Sequence, residues 1–81
     1  MATFEKHILY YKPTCPYCVR VLNFMNERGI ECEMRNTLEP GVASELVAVG
    51  GKQQVPCLVI DGQALYESLD IIEYMRVHAD Q

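Results

Sequence analysis

Cys15 and Cys18 stand three residues apart, with Pro16 and Tyr17 between them. Two thiols at this spacing lie about one helical turn apart, close enough to bridge and to separate again. The run Ile8-Leu9-Tyr10-Tyr11-Lys12 reads as a buried strand that Pro13-Thr14 ends. Pro16 suits the first turn of a helix, where its missing N–H costs nothing. Cys15 therefore falls at a strand-to-helix junction, beside unpaired N–H groups and the positive end of the helix dipole. That setting favours the thiolate. Cys15 is expected to be the exposed nucleophile and Cys18 the more buried resolving thiol. Lys12 and Arg20 are nearby cations suited to lowering the Cys15 pKa further.

Two other chemistries fit a bare C-x-x-C. Zinc normally needs two further ligands, and Cys32, Cys57, His7 and His78 do not form a second knuckle with ligand spacing. No metal is therefore expected. A purely structural bridge across so few residues closes too small a loop to stabilise much. The N-terminus Met1-Ala2-Thr3-Phe4-Glu5-Lys6 lacks the pattern of a secretion signal. A cytosolic, reducing location is the expectation, and there a close cysteine pair is more often catalytic or metal-binding than structural.

The elements that must position this pair follow from pattern. The 81 residues have room for one core, so one domain over 1–81 is expected. Hydrophobic residues are 49% and charged residues 22%, which excludes disorder by composition. A net charge of −4 with scattered Lys and Arg gives no reason to expect nucleic acid or membrane as a partner. After the first strand, Val19, Leu22 and Met25, with Val21 and Phe24 less regularly, mark the apolar positions of a helix over 17–28, and Gly29 stops it. Ile30, Cys32 and Met34 alternate with Glu31, Glu33 and Arg35 in a half-buried strand over 30–36. Pro40 opens a second helix carrying Val42, Ala43, Leu46, Val47 and Val49, and Gly50-Gly51 ends it. Cys57-Leu58-Val59-Ile60 is a third strand, Asp61-Gly62 a hairpin turn and Ala64-Leu65-Tyr66 the return strand. Ser68 is placed to cap a last helix whose apolar face is Leu69, Ile72 and Met75, widened by Ile71 and Tyr74. His78 to Gln81 are expected to fray. The order β-α-β-α-β-β-α describes a four-stranded mixed sheet flanked by three helices.

The run Tyr11-Lys12-Pro13-Thr14-Cys15-Pro16-Tyr17-Cys18 resembles the active-site segment of dithiol glutaredoxins, whose typical motif is C-P-Y-C. Gln54-Val55-Pro56 is similar to the family segment whose proline is cis. The resemblance covers nearly the whole chain and implies the α/β thioredoxin fold. One segment departs from it. Many glutaredoxins carry G-G-x-x-D-D near the last helix, whereas Leu65-Tyr66-Glu67-Ser68-Leu69-Asp70-Ile71 looks like the N-terminal domain of glutathione transferases. The sequence stops where a transferase would begin its helical second domain, so no pocket for electrophiles is expected.

The resemblance implies glutathione as reductant and cosubstrate, forming a mixed disulfide with Cys15. Tyr17 would line the sulfur site. Lys12, helped by Gln54, would pair with the glycyl carboxylate. Val55, ahead of Pro56, would offer its backbone to the cysteinyl part as an added strand does. Glu67 and Ser68 would take the γ-glutamyl end, with Asp70 a second candidate for its amine. A helix N-terminus at Ser68 suits a carboxylate on physical grounds alone. Plainer readings stand beside these: Lys12 as a solvated strand-end lysine, Tyr17 as an exposed aromatic, Glu67 as a surface carboxylate, Arg20 as a solvated charge. Cys32 reads as a buried small hydrophobe and Cys57 as core, with an extra redox role for Cys57 the other reading. His7 and His78 are expected to flank the folded part without a catalytic role.

The implied activity is reduction of disulfide-bonded or glutathionylated proteins by a monomer. Glutaredoxin couples lie at about −200 to −230 mV, close to the cytosolic glutathione poise, so the reaction is reversible there. Two alternatives share the fold: a redoxin served by thioredoxin reductase, and a carrier of an iron–sulfur cluster ligated through glutathione. Pro16 weighs against the second, since cluster-binding relatives tend to lack it.

Overall fold

The structure is a computed structural model that describes residues 2–79, with side chains from Phe4 onward. Its elements run β1 (Ala2–Tyr11), α1 (Pro16–Arg28), β2 (Ile30–Asn36), α2 (Val42–Gly50), β3 (Cys57–Ile60), β4 (Gln63–Leu65) and α3 (Ser68–Ala79). This is the expected order. The sheet order is β2-β1-β3-β4, with β1 parallel to β2 and antiparallel to β3, and β3 antiparallel to β4. The expected thioredoxin fold is the one observed. No helix among the described residues is long and apolar enough to cross a membrane.

β1 is longer than its apolar run suggested, starting at Ala2 and ending before Lys12. Its register against β2 slips between Phe4 and Ile8, and Lys6 has φ +60°. A bulge of this kind breaks the alternation that marks a strand in sequence. His7 sits in that bulge, so it is part of the fold rather than flanking it.

The helix faces rotate relative to expectation. In α1 the buried side chains are Cys18, Val21 and Met25, while Val19 is exposed. The stripe is helical, but a cysteine supplies its first apolar position. In α3 the buried set is Ser68, Ile71 and Met75, and Leu69 is 64% exposed. In α2 only Val42 and Leu46 are buried, and Val47 and Val49 face outward. Pro40 lies ahead of that helix, whose cap is Gly41 at φ +85°. On β2, an edge strand, Cys32 is half-buried and Met34 exposed, so the alternation there does not mark a closed face.

The hairpin turn holds Asp61 at φ +48° and Gly62 at φ +89°, the twist that tight hairpins need. Its return strand ends at Leu65, one residue early, and Tyr66 leaves the ladder. The ring then crosses Gly50, where a Cβ would collide with the Tyr66 hydroxyl. His78 and Ala79 remain helical rather than frayed, and Asp80 and Gln81 lie outside the described residues.

Two apolar clusters form on the sheet. Leu9, Val21, Met25, Leu58, Ile71 and Met75 join α1 and α3 to one face. Tyr10, Val42, Leu46, Cys57 and Val59 join α2 to the other. Alternate residues of β1 and β3 thus serve opposite layers. The first cluster fixes the N-termini of α1 and α3 on one side of the sheet, and the site lies there.

Candidate active site

Cys15 caps α1. Its backbone is extended (φ −82°, ψ +123°), and its side chain makes no cap hydrogen bond. The Cys15 amide donates to the Lys12 carbonyl at 3.1 Å, and the Cys15 carbonyl accepts the first helical bond from Val19 at 2.9 Å. This turn leaves the sulfur facing the free N–H groups of the first helical turn. Cys15 is half-buried, whereas Cys18 is fully buried beneath it.

The two thiols are driven apart in acidity. Burial alone would raise the Cys15 pKa. The amide and thiol of Cys18, the Tyr17 amide and the Lys12 charge outweigh burial and bring it below the ordinary cysteine value. Cys18 is pushed up to about 11, chiefly by burial and then by its neighbour Cys15, although the Lys12 amide donates to its sulfur at 3.4 Å. The nucleophile and resolving roles expected from spacing fit this asymmetry.

Val55–Pro56 is a cis peptide bond, and Pro56 is buried. Across from it α3 begins. Glu67 holds φ +69°, and its carbonyl accepts from the Ile71 amide at 3.0 Å. Glu67 therefore occupies the capping position given to Ser68 in the sequence reading. Ser68 is instead the first helical residue and is buried. The Gln54 side-chain amide donates to Glu67 Oε1 at 3.4 Å, which ties the proline loop to α3.

A groove of about 610 Å³ runs between these elements, lined by Tyr17, Arg20, Gln54, Val55, Pro56, Glu67, Ser68, Leu69 and Asp70. Six of the expected binding residues, and the second candidate Asp70, meet there. Lys12 does not line the groove; it is exposed at the end of β1 and acts on the thiols from there. The sequence reading treated Arg20 as a solvated charge and Leu69 as core, yet both line the groove. Arg20 was findable: it lies one turn after Tyr17, on the helix face opposite the buried stripe, and its guanidinium sits 5.9 Å from the Tyr17 ring centroid.

The remaining candidates lie elsewhere. Cys57 is buried in the α2-side cluster, near the Tyr66 hydroxyl, and burial raises its pKa. Burial also raises the pKa of Cys32. His7 Nε2 lies 2.8 Å from the Tyr74 hydroxyl, and His78 stacks on Tyr74 at 4.1 Å. Both histidines line a separate hollow. Among the described residues, no three His, Cys, Asp or Glu side chains group in a way that holds a metal ion.

A half-buried thiol at a helix N-terminus, a buried partner thiol and a groove bounded by a cis-proline together define a thioredoxin-fold domain with a ligand cleft. Residues 9–81 match the profile of the glutathione S-transferase N-terminal domain, and the chain belongs to that family. It is 32% identical over 79 residues to a probable maleylacetoacetate isomerase of Caenorhabditis elegans, covering 94% of this chain. The chain spans 37% of that relative's length. Among solved structures it is similar to the Tau class glutathione S-transferase of mango, with TM-score 0.77 and 18% identity, covering 95% of this chain and 36% of that one. It is also similar to the buckwheat glutaredoxin–glutathione complex, with TM-score 0.68 and 19% identity, covering 91% of this chain and 71% of that one. The fold is common to both kinds of protein.

Proposed function

We propose that the protein is a glutathione-dependent thiol–disulfide oxidoreductase of the reducing cytosol, acting on disulfide-bonded or glutathionylated proteins through Cys15. The opposed acidities of Cys15 and Cys18 beside an open groove carry this reading. The Cys15 thiolate attacks the glutathionyl sulfur of a mixed disulfide. The old S–S bond breaks, a Cys15–glutathione disulfide forms, and the substrate thiolate leaves and takes a proton. A second glutathione thiolate attacks that disulfide, giving oxidised glutathione and the free Cys15 thiolate. On a protein disulfide, the first product is a Cys15–protein disulfide. Cys18 gives its proton to the departing thiolate and closes a Cys15–Cys18 bridge, which two glutathiones reopen.

Glutathione is read as lying along the groove. Lys12 faces its glycyl carboxylate. The Val55 backbone pairs with the cysteinyl part, and Tyr17 lies against the sulfur. Ser68, at the N-terminus of α3, takes the γ-glutamyl carboxylate, while Glu67 or Asp70 takes its amine. The test is an assay with a glutathionylated mixed disulfide, glutathione, glutathione reductase and NADPH. Turnover lost in Cys15→Ser and kept in Cys18→Ser supports the reading. The reverse pattern overturns the roles, and no turnover in the unaltered chain overturns the activity.

A second reading is favoured by the family match and the isomerase relative: the domain presents glutathione for addition to an electrophile. Assaying conjugation of glutathione to a chlorodinitrobenzene separates the two. Redox turnover without conjugation leaves the first reading standing, and conjugation without redox turnover replaces it.

A further inference from the structure

We propose that Arg20 is a substrate-positioning residue that reads the α-carboxylate of the γ-glutamyl head of glutathione, an inference that rests on the glutathione reading above. The charges around the groove carry it. Glu67 and Asp70 stand on the α3 wall, and Arg20, on the α1 wall, is the one cation among the described residues lining the groove. An amino-acid head has its ammonium and carboxylate on the same carbon, so both must enter the same part of the groove. The acids on α3 suit the ammonium but repel the carboxylate. The start of α3 offers backbone N–H groups with only partial charge. Arg20 offers a full one.

Arg20 is also available for this role. Among the described residues it makes no hydrogen bond or ion pair, and its recorded contact is the Tyr17 ring. That cation–π contact holds the guanidinium over the groove without using its N–H fork, so less side-chain freedom is lost when a carboxylate binds. Asp70 likewise has no recorded partner among the described residues, so a positive and a negative group face the same open space. A zwitterionic head complements that pair.

The experiment measures KM and kcat for three mixed disulfides of one chromogenic thiol, with glutathione as the fixed reductant and release of that thiol as the readout: the glutathionyl, the γ-glutamylcysteinyl and the 4-aminobutyryl-cysteinylglycinyl disulfide, the last lacking only the α-carboxylate. Arg20→Ala is expected to raise KM about three- to tenfold for the first two, with kcat nearly unchanged. It is expected to leave KM for the third as it is in the unaltered chain. Arg20→Lys should restore part of the loss. An equal rise for all three disulfides, or none for the glutathionyl one, overturns the proposal. Sensitivity lost with the γ-glutamylcysteinyl disulfide instead would assign Arg20 to the glycyl end and overturn it as well. Failure of the unaltered chain to turn over the glutathionyl disulfide would mark the underlying reading, rather than Arg20, as wrong.

Discussion

Arg35 and Arg20 lie on opposite sides of the sheet and are treated in opposite ways. On the α2 side, Arg35 Nε stands 2.7 Å from Glu45 Oε1, and Nη2 donates to Oε2 at 3.0 Å. The buried Tyr10 hydroxyl donates to the same carboxylate at 2.6 Å. The two charges of that trio face each other, although the buried Arg35 Nε makes no hydrogen bond of its own, and α2 is tied to β1 and β2 through it. On the α1–α3 side, Arg20 rests on an aromatic ring and Asp70, with no partner among the described residues, lines a groove. The thiols show the same contrast. Cys57 is sealed in the α2-side core, while Cys15 is left half-open beside N–H groups that favour its charge. Polar groups that satisfy one another hold the fold together. Polar groups left unsatisfied around a concavity are available to a ligand.

The largest expected effect tests the open side. Cys15→Ser should lower turnover at least about a thousandfold, because no other thiol combines exposure with a lowered pKa. Cys18→Ser should keep reduction of glutathione mixed disulfides and lose most reduction of protein disulfides. Comparable losses from Cys57→Ala with its fold intact would break the contrast between the two sides.

Glu45→Ala tests the closed side. It strands the Tyr10 hydroxyl and leaves Arg35 with Glu33, 3.7 Å away, and should cost about 1–3 kcal/mol in urea denaturation. Alkylation of Cys15 by iodoacetamide should keep its rate. A change in that rate without a loss of stability would mean that the α2 network reaches the site.

Titration sharpens the comparison further. Tyr10 is pushed up to about 12 from 10.0, mainly by burial and then by Glu45. The fold thus favours its neutral form. That stability is fully present below pH 10 and is lost as pH rises through about 12. Tyr10→Phe should flatten this alkaline fall, read from the unfolding midpoint against pH. Cys15, shifted in the other direction, should gain alkylation rate at a pH below that of an ordinary cysteine.

The smallest expected effect is that of Lys12→Ala. It removes one of several influences on Cys15, so the midpoint of its alkylation profile should rise modestly and stay below that of Cys18, which lies near 11. An unchanged midpoint would assign the lowered pKa to the α1 amides and the Cys18 thiol alone.

Much of the site was legible before any coordinates, because it is built from short-range signals. Pro16 after Cys15 fixes a helix start, Asp61-Gly62 fixes a hairpin, and Glu67-Ser68 opens a helix. Tyr17, Gln54, Val55, Pro56, Glu67 and Ser68 do meet in one groove. The misread faces of α1 and α3 have one cause. A stripe read from apolar residues alone skips Cys18 and Ser68, which are buried because of what packs on them from other elements.

By itself, the sequence determined the order of elements, the place of Cys15 at the head of a helix and the thiol one turn beyond it. These depend on local backbone preference, which a few neighbouring residues settle. Only the tertiary structure decided that Lys12 stands outside the groove, that Arg20 lines it, and that Glu45 rather than water satisfies Tyr10. Each depends on pairs of residues far apart in the chain. Burial, and with it acidity and charge pairing, is set by which distant surfaces the sheet brings together.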